Sequence, residues 1–165
     1  MKISLSEVAA SKSQKIDFDY CLDLSQEEVG FEKPFREPVH LVGSVASKRG
    51  ASQLDAVIEA RCTQACARCL TPVTYDKRLE VSLMLVRRVD NDELDDMILV
   101  ESDEVDLDEL LVPELILDMD MVVLCREDCK GLCPKCGKNL NEGDCVCDRR
   151  EIDPRLAKLQ TILNK

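Results

Sequence analysis

Residues 125–150 read CREDCKGLCPKCGKNLNEGDCVCDRR, and six of the ten cysteines in the chain fall within 23 positions of that stretch. No other feature restricts the fold as much. Six thiols in so polar a segment are poorly suited to a core, so disulfides, a redox centre, an iron–sulfur cluster or zinc must account for them. The N-terminal stretch MKISLSEVAASKSQKIDFDY lacks the apolar core of a signal peptide. No apolar run approaches the ~20 residues of a membrane span. A cytoplasmic protein with no membrane partner is therefore expected, and a reducing compartment disfavours disulfides. Metal comes first and redox chemistry second.

Spacing narrows the choice. Cys133 and Cys136 form a C-x2-C turn followed by Gly137, which can take positive φ and aim backbone N–H groups at the thiolates. After eight more residues come Cys145 and Cys147, which face the same way in an extended segment. These four thiolates make a closed tetrahedral site, the mark of structural zinc without a position for substrate. The C-x2-C-x2-C-x3-C run of bacterial ferredoxins is absent. A rubredoxin-like iron would use the same four sulfurs, and zinc is preferred as the commoner ion.

A second C-x2-C lies upstream in CTQACARCL, at Cys66 and Cys69, and Cys125 and Cys129 are the pair left in the tail. A site built from these four would pin a strand end to the start of the tail and close a loop of over 50 residues. One or two structural Zn2+ ions are thus expected. Cys21 and Cys62 are left over, Cys62 either replacing Cys66 or serving as a core residue at a strand end. Neither C-x2-C lies in the strand-to-helix context of a thioredoxin.

Apolar and polar residues alternate at period two in KISLSEV, IDFDYCLDL, PVHLVGSVAS, LDAVIEARC and VTYDKRLEVSLMLVRR, with a shorter candidate in DDMILVES. No helix-length pattern separates them, so an antiparallel meander is expected. EEVGFEKPFREP reads as a loop marked by Pro and Gly. Helices come late. VDLDELLVPELILDM starts with Asp106 as cap and Glu109 three residues on; Leu107, Leu110, Leu111, Leu115 and Leu117 give it an apolar side. Pro113 should kink it or split it. DPRLAKLQTIL places Asp153 as cap, Pro154 at the first helical position, and Leu156, Leu159 and Leu163 on one side. The expected class is α+β: an antiparallel sheet domain over 1–124, and a cysteine-rich zinc-knuckle tail over 125–165 ending in a short helix and packed as one unit with the core.

The net charge of −11 is unevenly spread. Residues 89–125 carry 14 acids and no base, whereas 126–165 carry 9 bases against 7 acids. The acid block reads either as a solvated face or as a docking surface for a basic partner. The lone histidine, His40, stands in a strand-like run, and no H-E-x-x-H, Walker loop or G-x-G-x-x-G occurs. With no catalytic motif, the chain is expected not to be an enzyme and to take no small-molecule substrate.

In CARCL (66–70) and DCKGLCPKCGKNLNEGDCVCDRREIDPRLAKLQ (128–160) the sequence resembles the YceD-like family of large ribosomal RNA subunit accumulation proteins. About 40 residues match closely, and the rest agrees in the order of strands, acidic stretch and DLDELLVPELIL. The resemblance implies a role in ribosome biogenesis and accumulation of 23S ribosomal RNA, with a pre-50S particle, the RNA itself or a basic ribosomal protein as partner. Any RNA contact would fall to Lys130, Lys135, Lys138, Arg149, Arg150, Arg155 and Lys158. A protein partner would be met by acids such as Asp103, Glu104 and Asp106. The competing class is a metal- or redox-sensing regulator with releasable zinc.

Overall fold

The alternation in LDAVIEARC extends into the longest strand pair of the protein. In the computed structural model, which describes residues 1–48, 51–87 and 97–147, β4 (Ala51–Ala65) and β5 (Pro72–Val86) pair antiparallel over 15 positions. β3 (Val39–Lys48) lies on the other side of β4 and β2 (Lys15–Leu22) beyond it, both antiparallel. A three-residue strand, β6 (Met97–Leu99), completes the order β2-β3-β4-β5-β6. β6 departs from the expected meander, because it runs parallel to β5 with Met84 opposite Met97. It meets only the last three residues of β5, a pairing too short for local periodicity to signal its direction.

Because side chains alternate across a strand, one face of the sheet collects Phe18, Leu41, Val45, Leu54, Ile58, Cys62, Val81 and Leu85, all buried. The other face presents Asp17, Asp19, Asp55, Asp76, Arg78 and Glu80 to solvent. Burying one large aliphatic side chain is worth about 2 kcal/mol, so the apolar face demands a cover. Part of the cover is α2 (Leu107–Leu117), whose Leu107, Leu111 and Leu115 are buried at four-residue spacing. Asp106 caps it by accepting from the Asp108 N–H at 3.1 Å. Leu117, expected on the apolar side, is 80% exposed, because the helix ends there. Pro113 does not split the helix; the ring removes a single i→i−4 bond and the element runs on for another turn.

The rest of the cover corrects the reading of KISLSEV as one strand. Lys2–Ser4 is a short strand (β1) paired with β7 (Glu104–Asp106), and Leu5–Ala10 is a helix (α1) that buries Leu5 and Val8. The Ser4 hydroxyl accepts from the Glu7 N–H at 3.2 Å, so an S-x-x-E cap ends the strand where the alternation alone would continue it. The loop before β3 turns at Gly30 (φ +64°) and brings Phe35 back to bridge Cys62, where both are buried. The short helix expected over 153–163 lies outside the described residues.

Asp103 ties the cap of α1 to the turn before β7. It accepts from the Ser4 and Ser6 hydroxyls at 2.6 Å each and from the Ser6 N–H at 3.1 Å, and it pairs with Arg87. These contacts, the Ser4 hydroxyl first, hold its carboxyl below the usual range. A lowered pKa stabilises the folded chain above the ordinary carboxylate range, and that contribution is lost as pH falls through the folded value. Asp103→Asn is therefore expected to lower Tm at neutral pH and to flatten the acid side of its pH dependence. Thermal melts from neutral to acid pH check this.

Candidate metal centres

β4 and β5 are joined by the first C-x2-C. Leu70 N–H donates to the Cys66 carbonyl at 2.9 Å, and Cys66 N–H donates to the Thr71 carbonyl at 2.9 Å. The chain reverses at Leu70, whose φ is +59°. Residues 133–138 repeat this construction. Gly137 N–H donates to the Cys133 carbonyl at 2.9 Å, Cys133 N–H donates to the Lys138 carbonyl at 2.8 Å, and Gly137 has φ +71°. Even the flanks agree, since the Leu132–Asn139 bridge stands where Ala65 and Pro72 stand in the first hairpin. One knuckle has thus been built twice, and Leu70 accepts about 1 kcal/mol of left-handed strain that Gly137 avoids.

The structure brings both cysteine quartets together. Within Cys66, Cys69, Cys125 and Cys129, and again within Cys133, Cys136, Cys145 and Cys147, the sulfurs all lie within 4.8 Å of one another. Cys66 and Cys129 Sγ are 3.8 Å apart, and Cys69 and Cys125 Sγ are 3.6 Å apart. Sulfurs bound at ~2.3 Å to one tetrahedral ion stand ~3.8 Å from each other. The donor set therefore fits such an ion, and the separations far exceed the ~2 Å of a disulfide. All ten cysteines are free thiols.

Electrostatics within the quartets point the same way. Hydrogen bonds from the backbone N–H of Cys125, with those of Arg68 and Cys69, hold the Cys66 thiol down at about 6. The N–H groups of Cys136 and Lys135 do the same for Cys133, also at about 6. The Asn141 side chain, foremost, lowers Cys129. Desolvation of the sulfur inside the quartet first, then hydrogen bonds with the neighbouring sulfurs, pushes Cys125 up to about 12 although the residue as a whole is exposed, and Cys147 rises to about 12 chiefly through Cys136. Each quartet thus mixes thiols that ionise early with thiols held protonated by their neighbours. A divalent cation would relieve that crowding, and its uptake would release protons.

The remaining predicted residues fall in varied places. Cys62 is in the sheet core and Cys21 is exposed, and neither belongs to a quartet. His40 lies on the open face of the sheet, its Nε2 2.7 Å from Asp19 Oδ1. Lys135 is exposed on the second knuckle; Lys138 Nζ donates to the Asp144 carbonyl at 2.9 Å, and Lys130 is exposed beside the first quartet. Arg149, Arg150, Arg155 and Lys158 lie outside the described residues. Among the acids, Glu104 is exposed, whereas Asp103 is engaged as above and Asp106 caps α2. Two residues that sequence reasoning missed matter here. The Arg68 guanidinium donates to the Glu127 and Cys129 carbonyls at 3.2 and 2.9 Å, and Asn141 Nδ2 donates to Cys129 Sγ at 3.3 Å. No local pattern marks either, although the likeness of ARCLT to PKCGK could have exposed the doubled knuckle.

Fold and site together define a one-sided sheet protein with two four-cysteine centres, one shared between the tip of the β4–β5 hairpin and residues 125–129, the other within residues 133–147. The family model described as large ribosomal RNA subunit accumulation protein YceD matches residues 54–163, and the chain belongs to that family. The Bacillus subtilis protein YlbN is 26% identical over the whole chain and 98% of its own length. A maize chloroplastic protein, named large ribosomal RNA subunit accumulation protein YCED homolog 1, is 24% identical over 71% of this chain and 51% of its own. The Mycobacterium tuberculosis protein Rv2926c is 35% identical over 59% of this chain and 49% of its own. No solved structure matches. Among the described residues, no helix is long and apolar enough to cross a membrane.

Proposed function

We propose that this chain is a non-enzymatic ribosome biogenesis factor that supports accumulation of 23S ribosomal RNA in the large subunit, with structural Zn2+ in both cysteine quartets. Family membership carries the ribosomal part of this reading, together with the names of the plant relatives. The sulfur geometry supports the zinc part. Closed all-cysteine sites leave no position for a substrate, which favours scaffolding over catalysis.

Charge favours a protein contact within the pre-50S particle over naked RNA. RNA affinity rests on neutralising phosphates with Lys and Arg, and eight thiolates with two divalent ions would take the formal charge from −11 to about −15. A basic ribosomal protein is the partner that such a surface suits. Depleting the protein is expected to lower 23S relative to 16S ribosomal RNA; an unchanged ratio would overturn the reading. For the contact itself, Glu104→Gln should weaken a protein interface, while neutralising Arg149 and Arg150 should flatten the salt dependence of direct RNA binding. The second reading, a sensor that releases zinc on oxidation, draws on the exposure of Cys136. It predicts zinc loss under mild oxidant with the ribosomal RNA ratio following oxidant rather than protein level.

A further inference from the structure

The second quartet occupies only 15 residues, Cys133 to Cys147, and by sequence alone could capture an ion unaided. Its surroundings are arranged otherwise. The hairpin that carries Cys133 and Cys136 starts at Leu132, whose N–H donates to the Arg68 carbonyl at 3.0 Å on the first knuckle. Gly131 makes that approach possible: it has φ +73°, and a Cβ there would lie 2.9 Å from the same carbonyl. Leu140 N–H closes back onto the Gly131 carbonyl at 2.9 Å. Asn141 then ties the loop after the second knuckle to the tail residues of the first centre, accepting from Lys130 N–H at 2.9 Å while its Nδ2 donates to Cys129 Sγ at 3.3 Å. The Leu132 bond and the close approach of Gly131 require residues 125–132 to be held on the hairpin tip, which is what Cys125 and Cys129 accomplish by meeting Cys66 and Cys69.

The first quartet depends less on the second, from whose loop Cys129 Sγ receives the Asn141 hydrogen bond. Cys66 and Cys69 are preset at the end of a 15-pair ladder. Exposure differs in the same direction: Cys66, Cys69 and Cys129 are buried, whereas in the second quartet only Cys133 is.

Building on the zinc reading above, we propose that the two ions are taken up in order, the quartet of Cys66, Cys69, Cys125 and Cys129 first. The second quartet is then assembled on the first and exchanges its ion sooner, with Asn141 as the residue that couples them. Asn141 acts by positioning: it holds the loop that follows the second knuckle against a sulfur of the first centre.

Release of zinc from the full-length chain to a chromogenic chelator tests the order. Two phases of one ion each are expected, and Cys136→Ser should abolish the fast phase and keep the slow one. Cys69→Ser should cost both ions at matched free zinc. Because that variant can also misfold, Asn141→Ala supplies the independent arm. It retains all eight sulfurs and should bind two ions with an unchanged far-ultraviolet circular dichroism spectrum, yet release the fast ion about tenfold sooner. A Cys69→Ser chain that keeps one ion with wild-type fast release would overturn the ordering, as would an Asn141→Ala chain indistinguishable from wild type. A wild-type chain that binds no zinc would refute the zinc reading and the ordering with it. Retained zinc with unchanged release would refute the ordering alone.

Discussion

Cys66→Ser or Cys69→Ser is expected to destabilise the entire chain, whereas Cys133→Ser or Cys136→Ser should loosen the tail and leave the sheet standing. The first quartet joins positions 66 and 129 and so closes a loop of about 60 residues that spans β5, β6, β7 and α2. Cross-linking a loop of that length restricts the unfolded chain by about 4 kcal/mol in the chain-entropy treatment. For a chain of 165 residues this corresponds to a fall in Tm of roughly 12 °C. The second quartet's 15-residue loop carries about 3 kcal/mol in the same treatment, but all four of its cysteines lie within residues 133–147 and none is in the sheet, so its loss should be read in that segment. Thermal melts of zinc-loaded protein, followed by far-ultraviolet circular dichroism, compare the pairs directly. Equal and small shifts from both would show that the first quartet does not staple sheet to tail.

Gly43→Ala is expected to be comparably damaging for a reason unrelated to metal. Gly43 lies in the middle of β3, opposite Phe18 on β2 and Ala56 on β4. A Cβ there would come within 2.3 Å of the Asp55 carbonyl, 2.7 Å of the Phe18 ring and 2.8 Å of the Ala56 Cα. Two of those three neighbours are backbone and cannot swing away, so the strands must part. Overpacking of this kind costs about 3 kcal/mol, or a fall in Tm of roughly 9 °C. Zinc content should be unaffected, which separates this variant from the cysteine series. A melt within a degree or so of wild type would mean that β3 and β4 can part there without cost.

How much of this could be read from the sequence differs between sheet and site. The central strands β3, β4 and β5 announce themselves because a half-buried strand must alternate, and LDAVIEARC and VTYDKRLEVSLMLVRR do so over most of their length. α1 was concealed by the same rule: Ile3 and Leu5, two apart, mimic an alternating edge, and the three-residue step from Leu5 to Val8 reads as a helix once the Ser4 hydroxyl is seen to cap a turn. The parallel run of β6 had no signature, since a strand of three residues carries too little alternation to reveal its direction. The membership of both quartets was legible because thiolates for one ion must come in closely spaced pairs, and counting pairs left few combinations. What pairing logic could not supply was Arg68 and Asn141, ordinary polar residues whose roles depend on where the tail lands.

The ladder of β4 and β5 has a mechanical consequence. Fifteen paired residues span about 47 Å, and the first quartet stands at the far end of that span. The chain must also reach it from α2, through the seven residues 118–124. The tether reaches at most about 25 Å when extended, so it spans from the end of α2 to the tip with little length to spare. Adding two residues to each strand would carry the tip outward by about 7 Å with every side chain on its proper face; Cys125 could follow only if the tether grew too. Adding one residue to each would instead turn the outer part of the ladder inside out, exposing apolar side chains and burying charged ones. Length changes in the hairpin and in residues 118–124 should thus be tolerated in concert, in even steps, and seldom singly.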